Sequence, residues 1–221
     1  MDNAVHIIKI EALNHNVVRL MLERPAGYVF TAGQAIDFKL ERPGLEDKVS
    51  AFTFTGLATD PHLELTIKCY PDHHGITEQV AALKAGDSVL ISDPFDTVAL
   101  KGPGVFIAGG TGVTPFIAVL RQLQVEGKLA GNALFHFNKT KVDAFLVDEF
   151  TAMLGRDFHG VLSQEDAPGF LHGAVNADFL RTHIHDFRQP FYTCGPEGFV
   201  LAVKNALVEL GADSELIDVQ F

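Results

Sequence analysis

A run of four apolar residues, Val105-Phe106-Ile107-Ala108, passes directly into Gly109-Gly110-Thr111-Gly112 and then into a segment with Phe116, Val119, Leu120 and Leu123 at helical spacing. A buried strand that turns on glycines into an amphipathic helix constrains the fold strongly, because such units assemble into open, mostly parallel α/β sheets. Glycine lets the backbone take turn conformations and leaves no side chain in the way of a close-lying group. With Thr114 expected as the N-cap and Pro115 as the first helical residue, amide donors and the positive end of the helix dipole point into the loop. A diphosphate fits such a place. The strict dinucleotide fingerprint is broken, since Pro115 stands where a third small residue would be, and a tight structural turn is the competing reading.

The same rhythm continues downstream. Strands are expected at Val105–Ala108, Ala133–Phe137, His159–Leu162, Phe191–Cys194 and Leu216–Val219, and helices at Pro115–Val125, Asp143–Leu154, Ala177–His183 and Glu197–Leu210. A second strand-to-helix turn, Tyr192-Thr193-Cys194-Gly195-Pro196, copies the layout of the first, so Cys194 and Gly195 could line the pocket that Gly109–Thr114 opens. The bland reading of Cys194 is a small buried residue. Upstream the rhythm differs: short strands at Val5–Ile10, Val17–Leu22, Ala35–Leu40, Ala51–Thr55, Leu63–Tyr70 and Ser88–Ser92 are separated by Pro and Gly, with one helix at Thr77–Leu83. That frequency suggests an antiparallel barrel. The expected architecture is two domains, an N-terminal antiparallel β-barrel over residues 1–99 and a C-terminal α/β open parallel sheet over residues 100–221.

Charge and cysteine use exclude several functions. The net charge of −11 is spread over both halves, with 8 Lys+Arg against 14 Asp+Glu in residues 1–100 and 9 against 14 in residues 101–221. Neither half resembles a nucleic-acid or anionic-membrane surface. Cys69 and Cys194 are the only cysteines, so no disulfide framework or cysteine-ligated cluster can be written, and a reducing cytoplasm is the expected compartment. The N-terminus lacks the basic start and apolar stretch of an export signal. Gly104–Leu120 carries no charge, yet its internal glycines and proline split it into strand, turn and helix rather than a membrane span.

Four pieces in order, Ala51-Phe52-Thr53-Phe54-Thr55, Gly75-Ile76-Thr77, Gly109–Pro115 and Cys194-Gly195-Pro196, resemble the ferredoxin–NADP reductase superfamily, and within it the short bacterial flavodoxin/ferredoxin-reductase-like flavoproteins. The resemblance covers nearly the whole chain. It implies an FAD-binding barrel (1–99) and an NAD(P)-binding α/β domain (100–221). Phe52 and Thr53 carry over as flavin contacts, with Thr53 near flavin N5, where a hydroxyl can donate or accept. Without the resemblance this stretch reads as an alternating strand, Phe52 and Phe54 toward a core and Thr53 and Thr55 toward water. Gly75, Ile76 and Thr77 carry over to the flavin-phosphate turn, with Thr77 expected as a cap and Glu78 as an adverse charge; Lys68 and Tyr70 carry over to the strand along the ribityl portion. Gly110, Thr111, Gly112 and Thr114 carry over to the dinucleotide phosphates, and Cys194, with Gly195 and Pro196, to the nicotinamide. Cys194 is then a positioning residue, since hydride passes between stacked rings without a covalent step. Phe221 carries over as the aromatic residue covering the flavin, a frayed terminus being the alternative. The chain departs from the family at Ser50, where the family has a flavin-phosphate arginine, and Lys48 lies two residues away on the same side of the strand.

Other constellations weigh less. His73-His74 and His183-x-His185 lack a third ligand, which disfavours a metal, and Ser50 and Ser163 lack a nucleophile elbow. The turn Asn138-Lys139-Thr140-Lys141 stands where such a sheet meets the adenosine ribose and leaves NADH against NADPH open. The leading expectation is an FAD-dependent NAD(P)H oxidoreductase that passes single electrons to a separate acceptor such as flavodoxin, ferredoxin or a small oxidant. The alternatives are a flavin-poor binding or regulatory module, suggested by Ser50, and an electron-transfer subunit of a larger complex.

Overall fold

The computed structural model describes residues 3–45, 47–71 and 74–220. They form two compact units, one of residues 1–97 with 114–122 and one of residues 98–113 with 123–221.

The first unit contains β1 (Asn3–Ala12), β2 (Val17–Glu23), β3 (Gln34–Lys39), β4 (Ser50–Thr53), β5 (His62–Lys68), the short helix α1 (Ile76–Val80), β6 (Ser88–Ile91) and β7 (Phe95–Asp96). The strands pair antiparallel in the order β4-β3-β6-β1-β2-β5, with β7 also on β3. Alternation along β1 and β2 buries Val5, Ile7, Leu20 and Leu22 on one face, and these pack with Phe30, Ile36, Phe38, Phe54 and Leu65 into the barrel core. Closure is nearly complete: an isolated bridge between Phe54 and Leu65 joins the end of β4 to β5.

The second unit contains β8 (Val105–Gly109), β9 (Ala133–Asn138), α3 (Val147–Leu154), β10 (Phe158–Leu162), β11 (Leu171–His172), α4 (Ala177–His183), β12 (Phe191–Cys194), α5 (Glu197–Glu209) and β13 (Ile217–Gln220). Helix α2 (Thr114–Val125) follows β8 in the chain, and its residues up to 122 group with the barrel. The sheet order is β11-β10-β9-β8-β12-β13, and every pairing in it is parallel. Its central strand β8 is buried throughout, as an unbroken apolar run in a parallel sheet requires. Ile107, Phe135, Val161, Phe191, Val203 and Leu207 form the core of this unit.

Two helices differ from the sequence expectation. The segment expected as Thr77–Leu83 is helical only over Ile76–Val80, because Ala81, Ala82 and Leu83 bond to carbonyls three residues back and wind into a tighter turn. The helix expected to start at Asp143 starts at Val147. A 3-10 turn over Lys141–Asp143 precedes it, closed by Asp143, whose carboxylate accepts from the Thr140 N–H at 3.0 Å and the Thr140 hydroxyl at 2.6 Å.

Candidate functional site

From β8 the chain runs outward through β9, β10 and β11, then returns to the other side of β8 as β12 and β13. The reversal sets the carboxyl ends of β8 and β12 side by side, the switch point at which open α/β sheets take ligands. Gly109 ends β8 and Cys194 ends β12, so the two turns singled out in the sequence meet in one crevice.

The glycines there divide their roles. A Cβ on Gly112 would run into the Cys194 carbonyl, and one on Gly109 would lie 2.9 Å from the Phe199 ring. Both are small because protein packs against them. Gly110 is different: its φ of +56° needs glycine, and a Cβ there would meet open space. Of these three glycines, only Gly110 looks away from the packed interior.

Thr114 is not the cap expected. Gly110–Val113 form a 3-10 turn that runs without a break into α2, and Thr114 is the first residue of the α-helical part, ahead of Pro115. Four residues of tighter helix therefore shift the helical start back into the glycines.

His136, on β9, belongs to none of the sequence motifs, and it props this turn from below. It is 1% exposed, its Nε2 lies 2.9 Å from the Gly110 carbonyl, and Phe145 and Phe150 meet its ring edge-on. A carbonyl only accepts, so Nε2 carries the proton. Burial pushes the imidazole down to about 4, against a smaller upward pull from that bond, so it is neutral around pH 7. Because the peptide is planar and trans, fixing the Gly110 C=O toward His136 turns the Thr111 N–H to the opposite side. The available signal was a lone imidazole in the otherwise apolar centre of Ala133-Leu-Phe-His-Phe-Asn138.

Cys194 is 9% exposed, and burial pushes its thiol up to about 11, with Asp218 adding to the shift and a Gly195 backbone bond opposing it. It is a neutral thiol at pH 7, suited to packing and not to nucleophilic attack. Gly195, with φ +156°, and Pro196, the N-cap of α5, follow it.

In the barrel, Phe52 and Thr53 are half-buried on β4, Lys68 ends β5, and the Lys68 Nζ lies 5.4 Å from the centre of the Tyr70 ring. Phe54 N–H donates toward β3, to Gln34 O at 3.0 Å, and Thr55 N–H donates toward β5, to Glu64 O at 2.9 Å. Successive residues of a strand direct their backbone groups to opposite sides, so Ala51 and Thr53 direct theirs toward β5. Among the described residues no ladder pairs β4 with β5 there, and the barrel is left with an open seam at Ala51–Thr53. The seam is shut just beyond, at Thr55. There the buried Glu64 carboxylate accepts from the Thr55 hydroxyl at 2.8 Å and from Arg121 Nη1 at 2.7 Å, and Arg121 also donates to the Thr55 carbonyl at 2.7 Å.

The Gly75 turn is less ordered by its own side chains. Gly75 is the N-cap of α1 with no side-chain cap, so Thr77 lies inside the helix and is not the cap expected. Ile76 is buried in the barrel core and offers a ligand only its backbone. Lys48 donates to the His74 carbonyl beside this turn, and the Glu78 carboxylate lies 3.2 Å from His74 Nδ1. The cation thus stands at Lys48 and not at Ser50. Phe221 and His73 lie outside the described residues. Among the described residues no three His, Cys, Asp or Glu side chains could hold a metal ion, and no helix is long and apolar enough to cross a membrane.

An antiparallel barrel followed in the chain by a parallel sheet that carries a glycine turn at its switch point is the ferredoxin–NADP reductase-like fold. Residues 106–205 match the family model of the oxidoreductase NAD-binding domain. Solved structures agree in fold: the flavohem-like FAD/NAD-binding domain of nitric oxide dioxygenase from Vibrio cholerae superposes with a TM-score of 0.87 at 21% identity, over 98% of this chain and 97% of that one. A ferredoxin NADP+ reductase from Neisseria gonorrhoeae, solved with bound FAD and NADP, gives 0.86 at 18% identity, over 99% of this chain and 98% of that one. In sequence the chain is 29% identical to the reductase component of propane 2-monooxygenase from Rhodococcus jostii, over 98% of this chain and 62% of that protein. It is 28% identical to one component of the Na(+)-translocating NADH-quinone reductase from Shewanella denitrificans, over 95% of this chain and 57% of that component. The chain therefore spans less than two thirds of these relatives.

Proposed function

We propose that the chain is an FAD-dependent NAD(P)H reductase that passes electrons to a separate acceptor, with FAD held by the barrel (residues 1–99) and the dinucleotide by the α/β part (residues 100–221). The observation that carries this reading is the switch-point crevice. There a glycine turn, with only Gly110 facing open space, lies against Cys194-Gly195. Its backbone donors suit a diphosphate, and Gly110, Thr111, Gly112 and Thr114 are the residues that hold it. Cys194, Gly195 and Pro196 border the nicotinamide end, where a neutral, buried thiol keeps water and charge away from a hydride in transit.

The barrel suits a flat heterocycle with polar edges. Ala51 and Thr53 direct backbone donors and acceptors along the open seam, where no strand pairs with them among the described residues, Phe52 and Tyr70 offer ring faces, and the Thr53 hydroxyl serves a nitrogen that gains and loses a proton. Lys48 and the Gly75–Thr77 backbone, with Lys68 nearby in sequence, take the phosphates. FAD, when bound, supplies acceptance of a hydride and release of electrons one at a time. The acceptor is a protein such as a flavodoxin or ferredoxin, or an oxygenase of the kind that the propane 2-monooxygenase relative serves. The free thiols of Cys69 and Cys194 suit a reducing cytoplasm.

The test is anaerobic stopped-flow mixing of FAD-reconstituted protein with NADH and with NADPH. Bleaching of the flavin absorbance is expected with at least one of them. Bound flavin that neither reduces would overturn the reading.

A further inference from the structure

The turn after β9 lies at the carboxyl end of the strand next to β8, where a dinucleotide-binding sheet meets the adenosine ribose. Backbone amides at a strand end are good phosphate ligands, and in this turn two of them are already used. The Thr140 N–H donates to Asp143 Oδ2 at 3.0 Å, the Thr140 hydroxyl donates to the same oxygen at 2.6 Å, and the Lys141 N–H donates to Glu165 Oε2 at 2.8 Å. Glu165 arrives from the loop after β10, which Ser163 and Gln164 fasten to the same turn through bonds to the Asn138 and Lys139 carbonyls, at 3.0 Å and 2.9 Å. The two carboxylates are thus placed by backbone pairing.

We propose that this chain selects NADH over NADPH, because the donors that a ribose 2′-phosphate would take at Thr140 and Lys141 are bonded to the chain's own carboxylates, Asp143 and Glu165. The proposal rests on the dinucleotide reading above. A 2′-phosphate is close to dianionic at neutral pH and would face both carboxylates. A ribose hydroxyl can instead donate to one of them. Lys139 and Lys141, both exposed, are the attraction to be weighed against this. The two acids, one in the turn and one brought to it by the loop after β10, match them in number, so no excess of positive charge remains to hold a phosphate.

The experiment is calorimetric titration of the purified full chain with NADH and, separately, NADPH at low ionic strength. NADH is expected to bind roughly tenfold or more tightly, as juxtaposed like charges require. Glu165→Ala removes one carboxylate and releases the Lys141 amide, and the NADPH:NADH affinity ratio is expected to rise roughly fivefold or more. Glu165→Gln, which keeps the size and removes the charge, is expected to move the ratio in the same direction and serves if the alanine variant does not fold. Equal affinity of the wild-type chain for both nucleotides, or a preference for NADPH, overturns the selectivity alone. An unchanged ratio in the folded variants does the same. Binding of neither nucleotide by the wild-type chain overturns the dinucleotide reading itself, and the selectivity with it.

Discussion

Two glycine turns of this molecule, at Gly109–Gly112 and at Gly75, are built in opposite ways. Gly109–Gly112 is set from behind: Phe199 fills the space over Gly109, the Cys194 carbonyl abuts Gly112, and His136 holds the Gly110 carbonyl. Gly75 opens a helix of five residues with no side-chain cap, bordered by Lys48, His74 and Glu78, of which His74 has a side chain 88% exposed. One turn is fixed by packing and the other by surface charges. A turn fixed by packing needs glycine at defined places and writes itself into the sequence, whereas charges can reach a turn from anywhere in the chain.

The strongest way to break this comparison is to add a methyl group to each turn. Gly112→Ala places a Cβ against backbone that cannot rotate away, and a loss of about 3 kcal/mol or more is expected, at the upper end for overpacking. Gly75 has φ −129°, open to any residue, so Gly75→Ala should cost well under about 1 kcal/mol, near the difference between glycine and alanine at an N-cap. Urea unfolding of both variants checks this, and similar losses would mean that the turns are not built differently.

Acid should separate the two turns next. His136 titrates near 4 when folded and near 6.5 when unfolded, because burial disfavours its charged form. The unfolded chain therefore binds the proton first. The stability due to the neutral imidazole is fully present above pH 6.5 and is lost as pH falls toward 4, amounting to at most about 3 kcal/mol. His136→Phe should flatten the stability profile over that window. A wild-type profile that is already flat between pH 6.5 and 4 would remove the buried imidazole from the account.

How much of this was legible follows the same division. The strand–glycine–helix unit, the second turn at Cys194 and the β-rich half are statements about backbone, and periodicity and glycine report backbone directly. Thr114 and Thr77 are of a capping residue type yet do not cap, because the helical start is set by where the turns are wound and not by residue type. The role of His136 is not legible in periodicity, because it depends on β9 lying beside β8. The open seam at Ala51–Thr53 was equally hidden, since it depends on where β4 stops pairing with β5. Lys48 lies two residues before Ser50, and only the folded turn shows that it reaches His74.

Lys48 therefore offers a third, smaller test, confined to the barrel. Its side chain ends at an exposed turn, so Lys48→Ala should leave unfolding within about 0.5 kcal/mol of wild type. Its affinity for FAD, followed by quenching of flavin fluorescence, should fall roughly tenfold, the worth of one charged phosphate contact. Ser50→Arg in the same background is expected to recover most of that loss. Unaltered FAD binding in Lys48→Ala would move the phosphate ligand elsewhere in the turn.

The smallest expected effect compares two buried threonines, one in each unit. Thr55 Oγ1 donates to Glu64 at 2.8 Å and lies 3.2 Å from Thr66 Oγ1, inside the network that shuts the barrel seam. Thr193, fully buried on β12 next to Cys194, has a hydroxyl with no hydrogen-bond partner among the described residues. Replacing either by valine keeps the shape and removes the hydroxyl, so the sign of the change reports whether the hydroxyl was satisfied. Thr55→Val leaves a carboxylate oxygen short of a donor and should destabilise by about 1–2 kcal/mol. Thr193→Val removes an unmet polar group from an apolar core and should stabilise by about 1 kcal/mol. Opposite shifts in thermal midpoint are the expected result. A loss of stability in Thr193→Val would show that its hydroxyl has a partner in solution, and would place a polar contact directly beside Cys194 at the crevice.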